Sequence, residues 1–115
     1  VITIGTPHHG TWLARFGHTA NGKQMRLDSP WLTRLAASES AVRRGRFTCF
    51  FGNCDNIVFP ADKGTLADAE NVHVPATAHV HMAFQAAVSK EVGRWLAPAT
   101  PEPGADLRNP DTIGK

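Results

Sequence analysis

Residues 70–88, ENVHVPATAHVHMAFQAAV, pass from a valine-containing run through a proline turn into an apolar helical pattern, and His79 stands where that helix opens. Asn71 to Val74 suits a strand, because β-branched side chains pack well on a pleated surface. Beyond the turn PATAH, Phe84, Val88, Val92 and Leu96 recur at helical spacing, with Ala87 and Trp95 widening the apolar face. Such a helix has one side to bury. A strand, a polar turn and a covering helix form the repeating unit of an α/β sheet.

Working outward, Arg46 to Phe51 is the preceding strand candidate, and the turn Gly52 to Asn56 carries Asp55 out of it. Val1 to Gly5 is the first strand candidate, halted by TPHHGT. A polar connection runs through Asn21 and Gly22. Ser29 then offers an N-cap oxygen and Pro30 fits the first helical position. Trp31, Leu32, Leu35 and Ala36 continue the pattern, and the helix is expected to end before Gly45. The expected architecture is α/β: about three parallel strands with flanking helices over residues 1–96, followed by a loose, proline-rich tail over residues 97–115. Three parallel strands expose both sheet edges and leave apolar faces partly uncovered. This pattern is expected of the C-terminal portion of a larger fold.

The chain has 115 residues, 12 Lys plus Arg and 10 Asp plus Glu, a net charge of +2 that argues for neither nucleic acid nor an anionic membrane as partner. No apolar run approaches the ~18 residues needed to cross a bilayer. Cytoplasmic and secreted locations both stay open. Cys49 and Cys54 are compatible with a local disulfide or with two separate thiols. A structural zinc site needs more ligands at suitable spacing.

Asp55 and His79, each following a strand, suggest acid–base chemistry. In acyl transfer a neutral imidazole accepts the nucleophile's proton and returns it to the leaving group, while a buried carboxylate fixes the imidazole's tautomer. His79 is the candidate base and Asp55 the candidate acid. Their order, acid before base, is that of α/β-hydrolases. Ser29, Ser38, Ser40 and Ser89 are the serines present, and none is framed as G-x-S-x-G. The nucleophile is therefore expected upstream of this segment. The alternative is purely structural: Asp55 caps a turn and His79 caps or packs beside the last helix.

With these residues in view, VITIGTPHHGT, CDNIVFP and ENVHVPATAHVHMAF resemble, in order, three segments of bacterial triacylglycerol lipases and esterases of the α/β-hydrolase superfamily: the strand and loop after the nucleophile-elbow helix, the D-x-I-V-x-P acid segment, and the strand, turn and histidine segment. The resemblance spans Val1 to Leu96. It implies a cofactor-independent carboxylic-ester hydrolase with Asp55 as triad acid and His79 as triad base, acting on a small-molecule ester or lipid, with interfacial contact in the complete enzyme. The elbow serine and the oxyanion donors have no counterpart here, so the isolated segment is expected to be inactive.

Other residues compete for roles. His8, His9, Gly10 and Trp12 follow the first strand and are candidates for the rim of the site or for hydrogen bonds supporting it; a rigid turn is the alternative. Trp12, Leu13 and Phe16 suit either an acyl-chain wall or packing of a short helix. His81 rivals His79, although residues two apart diverge on a helix, so one alone should meet Asp55. His73 reads as structural. A metallohydrolase drawing on His8, His9, Asp55 and His79 lacks an H-E-x-x-H-like signature. Arg43, Arg44 and Arg46 suit a helix C-terminus better than a phosphate site. A noncatalytic binding or vestigial hydrolase-derived module is the alternative function.

Overall fold

The computed structural model describes residues 1–97. Three strands, β1 (Ile2–Ile4), β2 (Thr48–Phe51) and β3 (Glu70–His73), form one parallel sheet in the order β1-β2-β3. Between β1 and β2 lie a 3-10 turn at Trp12–Phe16 and helices α1 (Ala20–Gln24), α2 (Pro30–Ser38) and α3 (Ala41–Arg44). After β3 come α4 (His79–Met82) and α5 (Ala86–Leu96). The α/β class expected from the sequence is observed, and each strand falls within two residues of its expected bounds. Residues 98–115 of the expected tail lie outside the described residues.

Two expected helices are broken, each for a local reason. Ser29 caps α2 as anticipated, its hydroxyl accepting from the Leu32 amide. The helix stops at Glu39, whose backbone is extended, and Ser40 then accepts from the Arg43 amide to start α3. A serine hydroxyl at that point gives the backbone a fresh N-terminus instead of a continued helix. Arg44 closes the bend by donating to the Glu39 carbonyl and pairing with Asp68 at 2.7 Å. The apolar stripe after β3 is likewise split: Phe84 lies in the turn between α4 and α5 and is 81% exposed. Met82, fully buried, takes the place expected of Phe84.

The pleat sorts the sheet into two unlike faces, since neighbouring residues on a strand point to opposite sides. In register, Ile4 lies beside Phe50 and Phe50 beside Val72, on the face that α4 and α5 cover. Phe50, Val74, Met82 and Val88 form the buried cluster, with Ile2, Ile4, Val72 and Val92 packed around it. Burial of each such side chain contributes roughly 1.5–3 kcal/mol, so this small cluster is the main apolar anchor of the two helices. On the opposite face Thr3 lies beside Cys49. There α2 stands across a cavity of about 290 Å³ whose walls include Thr3, His8, Leu32, Leu35, Phe47 and Leu66.

No disulfide joins the cysteines: Cys49 is buried within the sheet, its thiol pKa raised by desolvation, and Cys54 is exposed in the loop after β2. Under native conditions one equivalent of thiol reagent is therefore expected to react rapidly, at Cys54, with Cys49 reacting only on unfolding. A native protein that resists labelling at both positions until it is reduced would contradict this arrangement.

Candidate active site

In a parallel sheet all strands point the same way, so the loops following them gather at one edge. Here those loops bring together Gly5 after β1, Asp55 after β2 and His79 after β3. The His79 Nδ1 lies 2.8 Å from Asp55 Oδ2. The Asp55 side chain is 2% exposed, whereas that of His79 is 28% exposed. The pair is thus buried at the carboxylate and open at the imidazole.

Asp55 makes the contacts of both alternatives that the sequence offers, a turn cap and a histidine partner. Its Oδ1 accepts from the amides of Ile57 and Val58, each at 2.8 Å, closing a turn of its own loop. Its Oδ2 is left for the imidazole. With Nδ1–H donated to that oxygen, neutral His79 presents a lone pair at Nε2, the arrangement required of a general base.

The orientation of His79 follows from the single turn of α4. Among its residues His79 and Met82 lie on one side, and Met82 is inserted into the core while Val80 and His81 are exposed. Residues three apart share a helix face, so burial of Met82 turns His79 inward and His81 outward. The loop holding His79 is also tied to the loop holding Asp55, because the Ala76 amide donates to Asn53 Oδ1 at 3.3 Å.

Two glycines make the approach possible. Gly5 has φ +57°, and a Cβ there would come within 2.8 Å of the His79 ring and 3.2 Å of Asp55 Oδ2. At Gly52 a Cβ would lie 3.0 Å from Met82 Cε and from the Val74 carbonyl. No motif in the sequence marks either glycine as part of the site. The available signal at Gly5 was its place directly after a short β-branched strand.

The other candidates separate from the pair. His8 Nε2 lies 3.1 Å from Thr3 Oγ1 and 3.5 Å from Cys49 Sγ, on the sheet face toward α2. Burial, reinforced by the neighbouring His9 and opposed by Glu39, holds its pKa below the ordinary histidine value. The backbone of His9 bonds Lys63 and Asp28. Gly10, at φ +83°, brings its loop so close to Arg26 that a Cβ would lie 2.4 Å from that carbonyl oxygen. Trp12 donates its amide to the Phe59 carbonyl, on the loop that follows Asp55, and is 45% exposed. Leu13 and Phe16 are exposed as well: the short helix forms as a 3-10 turn over Trp12–Phe16, but none of its residues is buried. His73 stacks obliquely on Phe51. Among the described residues no group of three or more His, Cys, Asp and Glu could hold a metal ion, and no helix is long and apolar enough to cross a membrane.

No family model, curated protein or solved structure matches this chain.

Two outcomes follow from this geometry. Gly5→Ala should cost about 1–2 kcal/mol for the left-handed backbone and push the imidazole off Asp55. The check is the downfield Nδ1 proton resonance of His79, which should vanish in the variant; its survival at an unchanged shift would show that the glycine does not shape the pair. His8 tests a second feature. Its folded pKa lies below the 6.5 of a free imidazole, so the unfolded state binds the proton first. Its contribution to stability is complete above that value and is lost as pH falls toward the folded pKa. Urea midpoints measured at about pH 7.5 and about pH 5.5 should therefore drop less in His8→Gln than in the wild type.

Proposed function

We propose that residues 1–96 are the acid-and-base portion of a carboxylic-ester hydrolase with the α/β-hydrolase fold, lipase- or esterase-like, acting through a Ser-Asp-His triad whose serine comes from outside this segment. One observation carries the proposal: the 2.8 Å hydrogen bond between partly exposed His79 and buried Asp55, made at the C-terminal edge of a parallel sheet. Acid and base stand on successive loops in the chain order used by α/β-hydrolases.

The chemistry divides among these groups. As the serine oxygen attacks the ester carbonyl, His79 Nε2 takes its proton, and Asp55 stabilises the imidazolium through Nδ1. The alkoxide leaving group then receives that proton from Nε2 as the carbon–oxygen bond breaks, leaving an acyl-serine. Water repeats the sequence with His79 again as base, releasing the acid and the free serine. Backbone amides outside this segment would hold the oxyanion. No step requires a cofactor, and the substrate is an ester or lipid.

A noncatalytic binding or vestigial module is the second reading. It is favoured by one fact: among the described residues, no serine, threonine or cysteine hydrogen-bonds the Nε2 of His79.

A fluorophosphonate probe and intact-mass analysis of the naturally expressed protein separate the two. The hydrolase reading expects one adduct on a serine of a longer chain containing this segment. An unlabelled species at the mass of these 115 residues would instead favour the module. In the labelled enzyme, Asp55→Asn should lower kcat by about 10⁴-fold through the wrong tautomer, with the fold retained. His79→Ala should nearly abolish turnover, whereas His81→Ala should have little effect; the opposite ranking would move the base to His81.

A further inference from the structure

The segment between β1 and α2 has a charge pattern that the dyad does not use. From Val1 to Leu27 there is no Asp or Glu, while Arg15, Lys23 and Arg26 all fall there. Arg15 and Arg26 face a shared cleft of about 250 Å³, completed by Thr11, Trp12 and Leu27. Among the described residues neither guanidinium is paired with a carboxylate.

Arg26 is the unusual member. One of its terminal nitrogens donates to the Gly17 carbonyl at 3.1 Å, which anchors the side chain. Its Nε is shielded from solvent and has no hydrogen-bond partner, the one buried side-chain polar atom so left among the described residues. A buried donor without an acceptor is costly, and more so when it belongs to a charged group. Arg15 lies over the Trp12 ring at 4.8 Å and the Phe16 ring at 5.4 Å. Its cationic plane therefore sits on an aromatic platform, with Trp12 and Phe16 in edge-to-face contact and both partly open to solvent.

The terminal N–H groups of the two guanidiniums, rather than the shielded Nε of Arg26, are the donors a ligand can reach, and they suit an oxyanion because their planar forks match carboxylate and phosphate oxygens. The exposed Trp12, Leu13 and Phe16 beside them suit an apolar body attached to that anion. We propose that the Arg15–Arg26 cleft binds the oxyanion of an amphiphile, a phosphate or carboxylate carried on an alkyl chain. The site is independent of the hydrolase reading, since neither guanidinium belongs to the dyad. It is nonetheless tied to the acid-bearing loop: Thr11 Oγ1 donates to the Ile57 carbonyl and accepts from the Phe59 amide at 3.2 Å.

The test is a binding titration that needs no turnover. In the 115-residue chain carrying Trp31→Phe and Trp95→Phe, Trp12 is the remaining indole of these residues, and its fluorescence is followed as octyl phosphate is added below its micelle concentration. Saturable change is expected, weakened about tenfold or more in Arg15→Gln and in Arg26→Gln, and largely retained in Arg15→Lys. Far-UV circular dichroism of each variant identifies loss of fold, and Arg15→Gln, whose side chain is on the surface, keeps the test decisive if Arg26→Gln unfolds. Equal binding of uncharged octyl glucoside, or a folded Arg15→Gln with unchanged affinity, would overturn the proposal. Phosphatidylglycerol vesicles compared with phosphatidylcholine vesicles then assign the source: preference for the anionic vesicles over octyl phosphate identifies a membrane lipid, and the converse a soluble amphiphile. Failure to bind either anion would overturn the site while leaving the dyad's fluorophosphonate test untouched.

Discussion

The buried Asp55 carboxylate is the constraint around which the C-terminal edge of the sheet is organised. A carboxylate removed from water must have its oxygens satisfied, because an uncompensated buried charge costs several kcal/mol. The fold meets that requirement by dividing the two oxygens between different partners. Oδ1 receives two backbone amides from its own loop, and Oδ2 receives the imidazole from another. A turn cap and a histidine partner are often treated as competing explanations for an aspartate after a strand. In this chain the two are compatible, since the cap occupies Oδ1 and leaves Oδ2 directed at His79.

From that carboxylate the remaining requirements propagate outward through packing. His79 reaches Oδ2 only because Met82 fixes the rotation of α4, and Met82 is held by the same Phe50–Val74–Val88 cluster that joins the sheet to α5. The ring can lie over the end of β1 only because residue 5 has no Cβ. Stability and site geometry are consequently one problem here. A cavity made in the core near Met82 would loosen the imidazole as well as the fold.

Much of this was legible in the sequence, and the failures share a physical cause. The strands were legible because each is a short run bounded by turn residues. The proximity of Asp55 to His79 was legible because parallel strands send successive loops to the same edge. The catalytic role of the pair is a further step that rests on the proposed triad. Helical periodicity persists through the breaks at Ser40 and Phe84, so it overstates helix continuity there. A capping hydroxyl in one case, and the demand for a buried Met82 in the other, overrode the local pattern. Gly5, Gly52 and the unpaired Nε of Arg26 were invisible because they concern contacts between residues distant in the chain. No spacing rule encodes what a missing Cβ would have touched.

The sheet's own edges bear on where a nucleophile could enter. Among the described residues β1 pairs with β2 alone, so the outer side of an apolar strand is left without a neighbour. Parallel strands are normally buried on both faces and flanked by further strands, since an open apolar edge invites pairing. Strands consecutive in the chain tend to be adjacent in space. Under the proposed triad, a strand preceding β1 would therefore extend the sheet at that open edge, and its following turn would arrive beside Gly5. That is the side of the molecule where the His79 ring lies against the end of β1. The same glycine that admits the imidazole would then keep the space above β1 clear for an incoming serine, so the vacancy at Cβ would serve both partners of the proton transfer.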